Sequence, residues 1–499
     1  MQYNKALPGS DINVTSLSRS HNTSNYVLTF LFCSSISVVL SAFYDKLFHW
    51  FLIPVVLCGT LIGGDAFSWF RKETYTFDVK AVFGLYGMYF FFMAPILHVT
   101  LNFWMKYVIP PSDWRPWLGY MAGLNLLGLI LMMWMRDHVI KERNRKVAKK
   151  YWLIDKKRLL PVLVLALTVS LALQIWVYAS RGGIMGYIMA YSERQLDVFQ
   201  GMGWVFMISE SFPILALIGY AVFAEGKKVL TSWPILIILI LLYVVTQILF
   251  GGLRGSRSNT VFMIFWAIGI IHFWLRPIPK RVVLLGLAFI FFFMYIYGFY
   301  KGAGIEVKEF LKGRENMAIL EEKTGRNINT LLLGDFSRSD VQAFILYRLS
   351  GNSDYRLAYG RSYLGDLSIL IPKQLWPNRP PTKVKEGTNI SYGNGSYDPN
   401  NFVSTKVYGL AGEAMLNFGP IAVPILFLIF GIFFSLILRF ISHLEKHDAR
   451  MILLPLFVLL PILILTSDLD NIIFFLIKNG LLPFLIIYVC SNRIEEAYS

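Results

Sequence analysis

Cysteine is scarce in this chain: three in 499 residues, Cys33, Cys58 and Cys490, all inside apolar runs. Those positions exclude a disulfide framework and a spaced thiolate site, and leave the three as small apolar fillers. Histidine is as thin, seven residues without an HExxH or similar spacing, so no metal site is indicated. Charge is low as well. Only 16% of residues are charged whereas 56% are hydrophobic, more than an ordinary soluble domain carries. Acids are the rarer sign, 31 against 47 bases. A basic n-region and a small-residue cleavage pattern are both missing before the first apolar run, so 26–42 reads as an uncleaved span.

What is present is a series of long apolar runs. A spanning helix needs about 20 mostly apolar residues, and twelve runs of that kind are predicted near 26–42, 47–69, 80–98, 116–135, 159–178, 203–223, 233–250, 258–275, 282–300, 420–439, 451–466 and 472–490. The fold class expected is therefore an all-α polytopic membrane protein. Its orientation follows from the segment 136–158, which carries ten Lys/Arg against three acids, because cytoplasmic loops keep an excess of bases. Twelve spans place the other basic connections on the same side, with both termini cytoplasmic. The domain plan is an N-terminal tail at 1–25, nine spans within 26–300, a large outer loop at 301–419, three spans within 420–490 and a short tail at 491–499. The net charge of +16 is divided among membrane loops, which suits topology and anionic headgroups of the lipid bilayer and speaks against nucleic acid.

Chemistry is expected in the large loop and in the turns beside it. FGGLRGSRSN at 250–259 sets Arg254 and Arg257 in a very short outer connection, where glycines permit a tight turn and the next helix offers N-terminal amides to an anion. Such a turn suits phosphate or pyrophosphate, gripped by guanidinia; the alternative is a polar turn whose arginines snorkel to headgroups. GDFSRSD at 334–340 groups Asp335, Arg338 and Asp340, which either position a sugar hydroxyl and accept its proton or form a surface ion-pair cluster. The stretch 339–349 reads as a short amphipathic helix on the membrane surface, with Ser339 and Asp340 as N-caps, and the four prolines of 371–383 as a rigid turn. Arg361, Lys373 and Arg379 add positive charge, and Tyr359, Tyr363 and Trp376 offer faces to a sugar ring. Glu210 within a span is a cavity group or a satisfied interhelical contact. Arg181, before Gly182 and Gly183, is a further anion candidate, and His98 sits at the end of the third span.

Four segments in order, GGLRGSRSN at 251–259, GDFSRSDVQAFILYRL at 334–349, YGRSYLGDLSILIPKQLWPNRPP at 359–381 and STKVYGLAGEAMLNFGP at 404–420, resemble those of bacterial oligosaccharide repeat-unit polymerases, the Wzy-type O-antigen polymerase group. The layout, with one large outer loop, is similar too. The resemblance implies a metal-independent glycosyltransferase of the GT-C type in the bacterial inner membrane, with no cofactor. It would move a growing glycan from undecaprenyl pyrophosphate onto the non-reducing end of an undecaprenyl-pyrophosphate-linked oligosaccharide. Arg254 and Arg257 would bind the donor pyrophosphate, and Arg338 and Arg361 would form a second cationic set. The general base stays open among Asp335, Asp340 and Glu413. A chain-length regulator is a partner by family context.

Two other classes compete. An O-antigen ligase would share the architecture but is expected to carry a prominent loop histidine, and none occurs between His272 and His443. A lipid-linked oligosaccharide flippase, a carrier without chemistry, would show two comparable halves with broken helices.

Overall fold

The computed structural model describes residues 23–141, 150–192, 202–254, 257–304, 307, 313–371, 375–404, 406–445 and 447–495. The protein is mostly helical. Among the described residues, ten helices are long and apolar enough to cross a membrane: Thr23–Phe43, Leu52–Phe70, Val79–Thr100, Arg115–His138, Lys156–Ala179, Gly203–Ala224, Trp233–Phe250, Lys280–Tyr300, Ala422–Ser442 and Leu469–Val489. Two shorter apolar helices, Asn259–Leu275 and Leu454–Thr466, occupy the two remaining runs expected from sequence.

Burial separates central from peripheral helices. Val79–Thr100 and Gly203–Ala224 are largely enclosed, whereas Thr23–Phe43 and Trp233–Phe250 are mostly uncovered and turn residues such as Val38, Ile238 and Leu241 outward. Apolar side chains facing out from polytopic helices match a lipid surround. In the centre, Ala422–Ser442 packs along Arg115–Lys141. Gly431 makes that approach: a Cβ there would lie 2.5 Å from the Met132 carbonyl oxygen, which only a small residue allows between membrane helices.

Three helices widen into a π turn, at Met88–Met93, Ile271–Leu275 and Leu476–Gly480. Each lies just before a proline, Pro95, Pro277 and Pro483. A proline lacks the N–H of the regular ladder and crowds the preceding turn, so the backbone gives way there. The third widening matters for the site because it contains Lys478.

The large loop folds as short helices: Arg314–Thr324, Ser339–Leu349, Arg361–Ser368, Lys383–Tyr392 and Gly409–Phe418, with a π turn at Thr330–Asp335. Ser339–Leu349 departs from the expected surface helix. Its residues Asp340, Gln342, Ala343, Phe344, Ile345 and Leu346 are buried as it packs against Arg115–Lys141 and Gly409–Phe418. Arg338 stands at its N-cap position, with no side-chain cap. Its apolar positions are thus spent on protein contacts, not on lipid. Strand Lys150–Ile154 pairs antiparallel with strand Ser491–Glu495, Trp152 opposite Arg493.

Candidate functional site

A cavity of about 1000 Å³ opens where the large loop meets the ends of the helices. Its walls have different chemistry. Val261, Phe262, Met294, Ile462, Phe474 and Phe475 give an apolar side from the helices, while Arg257, Arg326, Arg338, Lys406, Asp335 and Asp340 give a charged side. Phe103 to Tyr107 form a third side. A concave site, mainly apolar with a few convergent polar groups, is the usual form of a small-molecule pocket.

Arg257 and Asp335, 78 residues apart, meet in the charged wall. Guanidinium Nη1 and Nη2 donate to Asp335 Oδ2 and Oδ1 at 2.5 and 2.8 Å, a bidentate fit. Arg326 Nη1 lies 3.3 Å from both oxygens. Arg338 is oriented by backbone instead: Nε donates to the Thr466 carbonyl at 3.0 Å, and Nη1 to those of Asp335 and Ser337 at 3.0 and 2.5 Å. The turn at 334–340 is thereby tied to the end of helix Leu454–Thr466.

Asp340 lines the cavity beside His98, Oδ1 to Nε2 3.9 Å. His98 is fully buried. Its Nδ1 is 2.6 Å from the Phe103 carbonyl oxygen, which assigns the ring proton to Nδ1 and turns Nε2 toward Ser337 Oγ at 3.3 Å and Asp340.

Deeper, Glu210 interrupts its span between helices Gly203–Ser209 and Phe212–Ala224. Its carboxylate pairs with Arg254 Nη2 at 2.9 Å and with Lys478 Nζ. Arg254 also covers the Phe206 ring, 4.3 Å from its centroid. Next to Lys478, Asn479 Nδ2 donates to Asn259 Oδ1 at 2.7 Å. Glu210 is therefore an interhelical contact as well as a neighbour of the cavity, since Lys478 and Asn259 line it. Arg254 is not among the lining residues.

Behind the 466–471 wall is a second, acidic cluster. Asp468 Oδ1 accepts from the Tyr408 and Gly409 amides at 2.8 Å each, and Lys383 Nζ pairs with Asp468 at 2.7 Å and with Asp470. Burial works against the Lys383 charge, but Asp468 and Asp470 outweigh it and raise its pKa. Glu413 accepts from the Leu469 amide at 2.8 Å and sits beside Asp366. Burial lifts Asp366 to about 6, and burial together with Asp366 lifts Glu413 well above the usual carboxyl range. This cluster clamps the loop helices to the turn before Leu469–Val489, with Asp468 and Asp470 at its centre.

The structure distributes the predicted residues unevenly. Arg257, Asp335, Arg338 and Asp340 converge on the cavity. Glu413 lies in the acidic cluster instead. Arg361 forms an ion pair with Glu386 at 2.7 Å, and Arg379 Nη1 donates to the carbonyls of Ser368 and Ile371 at 3.3 and 3.1 Å; neither lines the cavity, nor does Trp376. Arg181 Nη2 is 3.7 Å from Met202 Sδ, also away from it. Lys373 and Ser256 lie outside the described residues. Arg326 and Lys478 were missed. Lys478 had a signal, a lone lysine in FFLIKNGLLPF, and charge inside a span is expensive unless it serves a pair or a site.

The chain matches no family model, no curated protein and no solved structure.

Proposed function

We propose that this chain is a membrane glycosyltransferase that extends a polysaccharide, transferring a growing glycan from undecaprenyl pyrophosphate to a hydroxyl of a lipid-linked repeat unit. The observation that carries the reading is the cavity, in which Arg257 and Asn259 meet Asp335, Arg338 and Asp340 beside the apolar side chains of the helices. An amphiphile with an anionic head needs both. The hydroxyl oxygen forms a bond to the anomeric carbon, the bond from that carbon to the phosphate oxygen breaks, and its electron pair leaves on the pyrophosphate. Arg257, Arg326 and Arg338 meet the charge that develops on this leaving group.

Asp340 is the carboxylate to receive the hydroxyl proton. It lines the cavity, with His98 Nε2 its neighbour at 3.9 Å, whereas both oxygens of Asp335 are held by arginine. Glu413 in this scheme is a structural group that holds the Leu469 amide. Residues with roles in the reading are spread over a GT-C-like plan of twelve spans in a bacterial inner membrane, with both termini cytoplasmic. The pairing of strand Lys150–Ile154, after the basic segment, with Ser491–Glu495 supports an even number of crossings between them.

The test is an assay in lipid with an undecaprenyl-pyrophosphate repeat unit, reading glycan ladders. Arg257→Ala is expected to lower turnover about 100-fold or more, by loss of a transition-state donor, with Arg257→Lys intermediate. Full turnover by folded Arg257→Ala would overturn the assignment.

A further inference from the structure

The third wall of the cavity is five consecutive residues, Phe103, Trp104, Met105, Lys106 and Tyr107, in the connection between Val79–Thr100 and Arg115–His138. We propose that this segment is a glycan subsite, in which Phe103 and Tyr107 hold the pyranose ring next to the lipid pyrophosphate; the inference rests on the reading of the cavity given above.

Trp104 is braced. Its ring stacks on Trp114, centroids 4.8 Å apart and planes within 4°, and on His98 at 5.5 Å, and its Nε1 donates to Asn102 Oδ1 at 2.8 Å. The backbone enters and leaves left-handed, with φ of +46° at Asn102 and +64° at Tyr107. Asparagine tolerates that region; for tyrosine it is uncommon and has an energetic cost. The segment is thus held rigidly in a shape that a relaxed loop would not choose.

Phe103 also packs beside His98, ring centroids 6.2 Å apart. Tyr107 is 88% exposed while lining the cavity. Phe103 reaches the charged wall: its ring edge is 4.0 Å from where a Cβ of Gly334 would lie, one residue before Asp335. Membrane proteins do place tyrosine and tryptophan at headgroup level, but that role does not call for five successive residues around one cavity. A pyranose presents C–H groups on its faces and hydroxyls at its rim. Aromatic rings suit the first, and Glu322 and Lys406 on the same cavity suit the second. One cavity thus offers apolar helix residues to a lipid tail, guanidinia to a pyrophosphate and rings to a sugar.

The test compares two probes on the full chain in nanodiscs: farnesyl pyrophosphate, and farnesyl pyrophosphate bearing one sugar, with glucose, galactose, N-acetylglucosamine and N-acetylgalactosamine as heads. Wild type is expected to bind at least one sugar-bearing probe about tenfold more tightly than the sugar-free one. Phe103→Leu keeps apolar volume, and Tyr107→Asn keeps a residue at ease with positive φ. Either is expected to shrink the ratio severalfold, and the pair to bring it near one, while Tyr107→Phe retains it. A sugar-dependent gain that survives the double variant overturns the subsite and leaves the pyrophosphate reading standing, as does pyrophosphate binding with no gain for any head. Failure of wild type to bind either probe instead removes the reading beneath it.

Discussion

Glu210 holds two cations, Arg254 and Lys478, with one carboxylate, and both Glu210 and Lys478 are almost fully buried. Removing one member of a buried ionic group leaves the remainder uncompensated, which costs about 3–5 kcal/mol. Glu210→Gln should therefore destabilise the protein by that order in denaturant titrations in detergent micelles, and Glu210→Gln with Lys478→Met should regain part of the loss. Equal stability of Glu210→Gln and wild type would remove the triad from the account. Asp366 gives a pH-dependent counterpart. Because folding raises its pKa, the folded chain binds this proton more tightly than the unfolded chain does. Its contribution to stability then falls as pH rises from the ordinary value of 3.8 through about 6. Asp366→Asn abolishes that titration, so its stability relative to wild type should rise across this window and stay level above it. A difference that does not change with pH would contradict the raised pKa of Asp366.

Elements differ in how far they could be read ahead. The twelve apolar runs stand where apolar helices stand, because hydropathy over a long window reports a bulk property of the segment. The short helix 339–349 was legible as a helix but not in its setting: an apolar stripe facing lipid and one facing Gly409–Phe418 have the same sequence. Candidate residues divided on the same ground. Arg257 and Asp335 were each visible as charge in a turn, but their bidentate meeting depends on a contact between distant segments. Arg361 and Glu413 had the right chemistry too, and Glu386 and Asp366 took them up. The aromatic strip 103–107 left no special signal, since tryptophan and tyrosine near span ends are common.

At the scale of the molecule the proposed twelve-span plan puts the paired strands on one side of the membrane and the large loop on the other. Strand Lys150–Ile154 is paired with strand Ser491–Glu495, and the loop residues Asn352 and Asn400 are exposed at the large loop. The native cysteines are buried, so single cysteines introduced at these places report alone. Asn352→Cys and Asn400→Cys should react with an impermeant maleimide added outside intact cells, and Lys228→Cys and Asn492→Cys only after permeabilisation. Labelling of both pairs from outside would break the twelve-span plan and with it the outer-face placement of the cavity.

The central claim is that bonds are made in this cavity, and the most direct measurement is a stoichiometry. Purified protein in proteoliposomes would be given an undecaprenyl-pyrophosphate repeat unit, with glycan length and free undecaprenyl pyrophosphate followed together. The account predicts longer glycans with one undecaprenyl pyrophosphate released for each new linkage. Intact lipid-linked units crossing the bilayer, with no extension and no release, would contradict it and make the protein a carrier.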